Sequence, residues 1–205
     1  MKAVRLNIGC GFKRRDGYVN VDSWDGCNPD ALFTADVDVW PFPDSSVAGL
    51  LFEHSMEHMG ETLAGFRHLI REAYRVCANG AEVEVIVPHW RHDSFAHDPT
   101  HVRVITPFTL GMLDRDRNRQ ARLAGDSESQ LGLMWGVDFE FVQGVFVSDP
   151  AKETSPVIGF LRDGIQAGPR PMDPSAVTAD MISLFGNVLQ EIRMTLRIHK
   201  PARVY

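Results

Sequence analysis

The chain lacks the features that would tie it to a membrane, an oxidising compartment or a nucleic acid. No stretch of its 205 residues approaches the roughly 18 consecutive apolar residues that a membrane-spanning helix needs. Its three cysteines, Cys10, Cys27 and Cys77, are odd in number and lack metal-type spacing, which favours reduced thiols. The formal net charge of −6 argues against a broad electrostatic attraction to phosphate groups. We therefore expect neither a membrane nor a nucleic acid as a partner.

Other absences bear on the compartment and on the number of domains. Residues 1–7 lack the apolar segment of a secretory signal, so we expect a cytoplasmic protein. The sequence has no internal repeat and no low-complexity tail, and its 44% hydrophobic and 23% charged residues are typical of a globular chain. We expect a single domain over residues 1–205, an ordinary length for one core. Neither the composition nor the motifs of the sequence indicate an oligomeric state.

Two short apolar segments at the start of the chain predict the edge of a nucleoside-binding sheet. Residues 4–8 predict a buried strand that stops at Gly9-Cys10-Gly11, and residues 18–21 predict a second strand that ends at Asp22. A Gly-x-Gly turn brings bare N–H groups close to a ligand, and an acid on the next strand normally accepts ribose hydroxyls. The dinucleotide pattern is absent, because Arg14 stands where its third glycine would be.

A strand, a helix and a strand in the middle of the chain predict a parallel sheet. Residues 47–52 are an apolar run short enough for a buried strand. Residues 62–77 predict a helix with one apolar face, and Asn79-Gly80 predicts its left-handed stop. Alternating valines over residues 83–87 predict the next strand. This βαβ order predicts an α/β fold, with a Rossmann-like, mostly parallel sheet flanked by helices.

The remaining elements are predicted from shorter patterns. Residues 35–39 predict a third short strand or its end, and Thr106-Pro107 begins a helix that runs to about Leu123. Residues 139–147 and 189–198 predict an antiparallel strand pair at one edge of the sheet.

The 148–187 segment between the last two strands is long for a hairpin connection. It contains a predicted helix over residues 175–185. We expect this insert, together with residues 89–106, to cover the pocket where a second ligand, the acceptor, binds. Deletion of the insert should then abolish acceptor turnover and leave cofactor binding intact, and loss of both would contradict the idea.

With these elements in order, the chain resembles the class I S-adenosylmethionine (SAM)-dependent methyltransferases over about residues 4–110, and most closely a small bacterial or phage-type branch. The resemblance is carried by phrases in the family's order: LNIGCG at 6–11 with GYVNVD at 17–22, ADV at 35–37 with PFPD at 41–44, EHSMEH at 53–58, YRVCANG at 74–80, and DPTHVR at 98–103 with TP at 106–107.

The resemblance implies SAM as the cofactor and assigns residues to its parts. Asn7, Gly9, Cys10 and Gly11 correspond to the turn around the methionine part, and Asp22 corresponds to the acid at the ribose. The remaining assignments are Asp36 and Val37 by the adenine, and Glu53 beside the sulfonium.

The chain also departs from the family pattern. Lys13 stands in place of a third glycine, Asn7 in place of an acid, Glu53 in place of a small residue and Ala48 in place of an aspartate. Only eleven residues separate Gly11 from Asp22, so the usual helix between the first two strands is nearly absent. These departures keep open the alternative of a non-catalytic protein that binds SAM or S-adenosylhomocysteine (SAH).

Seven of the eight histidines lie between His54 and His101, and they supply the catalytic candidates. His101, with Asp98 nearby, is the first candidate for a base or a substrate contact, and His54 follows the fourth strand beside the expected sulfonium. The alternative for Asp98 is that it braces the loop with Thr100 and Arg103. His54 and His58, at i and i+4, would share a helix face and could bind zinc, but no cysteine partners them, so we assign no metal.

Methyl transfer to oxygen or nitrogen of a small-molecule or glycan-like acceptor is the leading function that the resemblance implies. SAM carries its own leaving group, so the protein mainly positions donor and acceptor, while an O- or N-acceptor must also lose a proton to a base. A histidine-based metal hydrolase is the less favoured alternative to both SAM-linked functions.

Overall fold

The computed structural model describes residues 4–148 and 189–204, which form a seven-stranded sheet with helices packed against it. The strands are β1 (Val4–Ile8), β2 (Val19–Asp22), β3 (Ala31–Leu32), β4 (Val47–Glu53), β5 (Cys77–Pro88), β6 (Phe139–Ser148) and β7 (Leu189–Ile198). The helices are α1 (Leu63–Val76), α2 (Asp93–Ala96), α3 (Pro107–Gly111), α4 (Arg115–Ala124) and α5 (Leu131–Trp135), with 3₁₀ turns at Asp25–Cys27 and Met56–His58.

The strand order is β3-β2-β1-β4-β5-β7-β6. The first five strands in this order are parallel, and β7 runs antiparallel to both β5 and β6. The predicted fold class is confirmed, as is the antiparallel C-terminal strand pair at one edge. From β1, the chain adds β2 and β3 on one side of the sheet and β4 and β5 on the other. The loops after β1 and β4 therefore leave in opposite directions and form a crevice at the carboxyl ends of these strands, where ligands of such sheets bind.

The core explains why the central strands and α1 lie together. Leu6, Ile8 and Phe52 are fully buried in β1 and β4, and Leu69 of α1 is buried against the sheet. Thr62 caps α1 through its hydroxyl, which accepts a hydrogen bond from the Gly65 N–H at 3.0 Å. Burial on one face of α1 and polar residues on the other agree with the predicted amphipathic helix.

The predicted helix stop at Asn79-Gly80 is wrong. Helix α1 ends at Val76, and Cys77 already begins β5. Gly80 has φ of +78° within β5, where the pairing with β4 shifts between Cys77 and Glu82. The glycine therefore serves an irregularity in the strand and not the end of a helix.

Two other predicted elements differ from the structure. The third strand is β3, while residues 35–37 form a turn, because the carboxylate of Asp38 accepts the Thr34 N–H at 2.7 Å and closes the chain on itself. The single helix predicted from Thr106 is two helices, because Asp114 caps a new helix by accepting the Asp116 N–H at 2.9 Å.

The predicted insert over residues 148–187 and its predicted helix lie, apart from Ser148, outside the described residues. Among the described residues, none of the helices has the length and apolar character to cross a membrane.

Candidate functional site

A cavity of about 330 Å³ lies at the carboxyl ends of β1, β2 and β4. This volume falls within the range of small-molecule sites. The lining residues come from the ends of these strands, the loops that follow them and the turn after β3: Ile8, Gly9, Gly11, Val21, Asp22, Ser23, Phe33, Thr34, Ala35, Asp36, His54, Ser55, His58 and Met59. Four residues predicted to bind the cofactor, Gly9, Gly11, Asp22 and Asp36, are therefore brought together with the catalytic candidate His54.

The first wall of the cavity depends on the absence of a side chain at Gly9. Its φ is +69°, and a Cβ atom there would lie 2.6 Å from the Cβ of Ser55. The Ser55 hydroxyl donates to the carbonyl oxygen of Ile8 at 2.7 Å, which holds the loop after β4 against the end of β1. Only glycine fits this position without moving one of the two loops.

The Gly-x-Gly pattern predicted that the backbone N–H groups of the turn are bare, but in the structure they donate hydrogen bonds within the protein. The Gly9 and Cys10 N–H groups both donate to the carbonyl oxygen of Val21, at 2.9 and 3.0 Å. The Gly11 N–H donates to Oδ2 of Asp22 at 2.8 Å, and Oδ1 of Asp22 accepts the Trp24 N–H at 3.0 Å. The carboxylate of Asp22 is thus oriented by the turn, and each of its oxygens retains a second lone pair for a ligand.

The opposite wall is formed by the turn after β3. Asp36 accepts the Gly60 N–H at 2.8 Å, so this turn is fixed to the loop after β4. Phe33 and Ala35 add apolar surface beside it. Val37 is 68% exposed and does not line the cavity.

Three further residues predicted to bind the cofactor do not line the cavity. Asn7 is buried, and its amide donates to Asn20 Oδ1 at 3.0 Å and to the Lys13 carbonyl at 3.1 Å. Glu53 forms an ion pair with Arg15 at 2.6 Å. Cys10 is also buried, and burial raises the pKa of its thiol to about 11, so the group is a neutral thiol at pH 7.

The three catalytic candidates differ in position. His54 lines the cavity, has a left-handed backbone with φ of +50°, and places Nε2 2.8 Å from Oε2 of Glu191 on β7. His101 has only 7% of its side chain exposed and is not among the lining residues. Asp98 accepts from the Thr100 N–H at 2.9 Å and from the Thr100 hydroxyl at 2.6 Å, which is the loop-bracing arrangement considered for it.

The histidine pair predicted to share a helix face does not do so. The chain bends after His54, and only residues 56–58 are helical, as a 3₁₀ turn. His58 instead packs against His101, with ring centroids 4.5 Å apart. His54 and His58 would share a face only if residues 54–58 formed an α-helix. Instead, β4 ends at Glu53 and His54 has a left-handed backbone, so no such helix forms.

The sequence reasoning missed Glu57. This carboxylate is 1% exposed, and burial raises its pKa above the ordinary value for glutamate. His54 Nδ1 and His101 Nε2 lie 3.8 and 4.0 Å from its Oε1 atom. An acid between two histidines in the phrase EHSMEH was the available signal, but sequence alone does not distinguish a buried acid from an exposed one.

Solved structures with a similar fold include several SAM-dependent methyltransferases. The enzyme from Archaeoglobus fulgidus matches with a TM-score of 0.57 and 15% identity, over 95% of this chain and 86% of that one. The enzyme from Methanosarcina mazei matches with a TM-score of 0.51 and 13% identity, over 97% and 94%. The [4+2]-cyclase SpnF matches with a TM-score of 0.52 and 18% identity, over 96% and 75%.

At these identities the likeness shows the fold alone, and the chain has the fold of the class I SAM-dependent methyltransferases. No protein-family model and no curated protein matches the sequence. The presence of a cyclase among the similar structures means that the fold does not by itself define the reaction.

Replacement of Gly9 by alanine should cost more stability than the same change at Gly11. Both glycines have positive φ, and an L-residue in this conformation lowers the stability of the protein by about 1–2 kcal/mol. A Cβ atom at position 9 would overlap the side chain of Ser55, whereas a Cβ atom at position 11 has no atom within 4 Å. The overlap should add on the order of 1–3 kcal/mol to the loss of stability of Gly9→Ala. Urea unfolding of the two variants measures the difference, and equal losses would show that the two loops separate without cost.

Proposed function

We propose that this chain binds SAM in the cavity at the carboxyl ends of β1, β2 and β4 and transfers its methyl group to oxygen or nitrogen of a small or glycan-like acceptor. The observation that carries the proposal is the position of Asp22 and Asp36. They face one cavity from the loops after neighbouring strands, within a sheet of this fold.

Each part of the cofactor has a chemical counterpart in the cavity. Asp22 offers carboxylate lone pairs to the ribose hydroxyls at the end of β2. Phe33 and Ala35 offer apolar surface to the adenine next to Asp36. The turn at Gly9, with Ser55 behind it, leaves room for the methionine part, because no side chain extends from this position.

His54 is the best-placed base for the acceptor. Its Nε2–H is directed to the carboxylate of Glu191, 2.8 Å away, and this tautomer leaves a lone pair on Nδ1. Glu191 is itself held by Arg193, whose Nε donates to Oε1 at 2.6 Å. We assign His101 and Asp98, which do not line the cavity, no direct contact with the acceptor.

A protein that binds SAM or SAH without turnover remains the alternative. Asn7, which replaces the family's acid, is used to brace the loop, and Glu53 is paired with Arg15. Fewer free carboxylates are therefore available to bind the methionine amino group than in the family pattern. This difference favours weaker binding of SAM, and not a different ligand.

Calorimetric titration with SAM and with SAH should give saturable binding that Asp22→Ala weakens by about 1–3 kcal/mol, the value of a hydrogen bond to a charged group. Asp22→Asn, which keeps an acceptor oxygen, should lose less. Asp16→Ala, a change of an exposed acid in the preceding loop, is the matched control and should bind as the wild type does. Absence of binding to both ligands in the wild type would remove the proposal.

His54→Ala should retain SAM affinity but lower turnover by roughly 10²–10⁴-fold, the usual contribution of general base catalysis. Release of SAH, measured with a panel of sugars, phenols and small amines, supplies the readout. His68→Ala is the control, since its imidazole lies on α1 and contacts the Asp38 carbonyl. Turnover by the wild type excludes the non-catalytic alternative, and full turnover by His54→Ala would exclude His54 as the base.

A further inference from the structure

Three potential metal ligands converge beside the cavity. Glu57 and His58 belong to the 3₁₀ turn after β4, and His101 comes from the loop between α2 and α3. One ligand atom from each lies within 4.8 Å of the others. Two imidazoles and one carboxylate are a set that divalent transition metals bind in proteins.

The carboxylate of Glu57 points independently to a cation. Neither of its oxygens has a hydrogen-bond partner among the described residues, although the side chain is 1% exposed. The neighbouring imidazole nitrogen atoms, Nδ1 of His54 and Nε2 of His101, lie 3.8 and 4.0 Å from Oε1, beyond hydrogen-bond distance. A buried carboxylate without a partner is unfavourable, so a bound ion would satisfy a group that the fold leaves unsatisfied.

The hydrogen bonds of His101 leave its Nε2 free to act as a ligand. Its Nδ1 lies 2.8 Å from the carbonyl oxygen of Phe95. A carbonyl oxygen can only accept, so Nδ1 carries the proton and Nε2 carries the lone pair. Nε2 has two carboxylate neighbours, with Oε1 of Glu57 at 4.0 Å and Oδ2 of Asp98 at 3.9 Å.

A longer chain of hydrogen bonds assigns the same tautomer to His58. The Thr100 hydroxyl donates to Oδ1 of Asp98 at 2.6 Å, so its oxygen accepts from Nδ1 of His58 at 2.9 Å. Nε2 of His58 is then unprotonated. Imidazoles whose Nδ1–H groups are directed to a carbonyl or hydroxyl oxygen, with Nε2 left open, are characteristic of metal ligands.

We propose that Glu57, His58 and His101 bind one divalent transition-metal ion of the zinc class, with at least one coordination position left open. The inference does not rest on the proposed function. Zinc ligands lie about 2.0–2.2 Å from the ion, so neighbouring ligand atoms of a tetrahedral site are roughly 3.4 Å apart. Nε2 of His101 and Oε1 of Glu57, which are 4.0 Å apart, must therefore move closer to each other on binding. His58 also lines the cavity, so the open position would face it.

Zinc titration of chelator-treated protein tests the site, with Co²⁺ absorption as a report on coordination geometry. We expect one ion per chain in the wild type. Glu57→Gln and His101→Gln should bind at least 10-fold more weakly, and Thr100→Val, which removes the hydroxyl that links His58 to Asp98, about 10–100-fold more weakly. At the same zinc concentration, the rise in melting temperature should be smaller for Glu57→Gln than for the wild type.

Two controls separate this site from others. His68→Gln should bind zinc as the wild type does, because this histidine lies on α1. Cys27→Ser addresses the group of Cys10, Asp22 and Cys27, whose ligand atoms also lie within 4.8 Å of one another.

Two results would overturn the proposal: no saturable zinc binding in the wild type, or binding that is lost in Cys27→Ser and retained in Glu57→Gln. If circular dichroism shows that Glu57→Gln does not fold, the zinc affinities of His101→Gln and Thr100→Val are the test, and wild-type affinity in both would overturn the proposal.

Discussion

The close contact between Gly9 and Ser55 is the constraint on which the rest of the site depends. The Ser55 hydroxyl bonds to the carbonyl of Ile8, and the missing Cβ at Gly9 lets the loop after β4 lie against the end of β1. This contact brings His54 and His58 to the same cavity as Asp22. A side chain at Gly9 would push the loop that carries His54 and His58 away from the end of β1.

The carboxylates of the site have structural bonds before any ligand arrives. Asp22 accepts the Gly11 N–H, and Asp36 accepts the Gly60 N–H, so each is oriented by the backbone of a neighbouring loop. A carboxylate held in this way loses little further freedom when it binds a ligand, which favours affinity. Glu53 differs, because its charge is balanced by Arg15.

Glu57 provides the contrast, since it is buried without a hydrogen bond. The surrounding imidazoles of His54 and His101 are close enough to interact electrostatically but too far to donate. Burial raises the pKa of Glu57 and lowers that of His58, so both shifts favour neutral forms. The fold thus keeps a poorly satisfied polar group next to its cavity, and such groups occur at functional sites more often than elsewhere.

The sequence was not enough to predict the strand order β3-β2-β1-β4-β5-β7-β6. It was enough to predict where β1, β2, β4, β5 and helix α1 lie along the chain, together with the antiparallel edge pair and the glycine turn with Asp22. These follow from local patterns, because apolar periodicity and glycine act over a few residues. It did not determine β3 or the division between α3 and α4, where single carboxylates, Asp38 and Asp114, redirect the backbone by accepting N–H groups.

Tertiary packing, and not the local sequence pattern, sets which polar residues share the cavity. Asn7 and Glu53 lie in the expected motifs, yet they do not line the cavity, and their side chains are bonded to Asn20 and Arg15. Glu57 and His101 are 44 positions apart in sequence and meet through the packing of two loops. Burial and side-chain direction depend on distant contacts, and a local pattern carries no information about those.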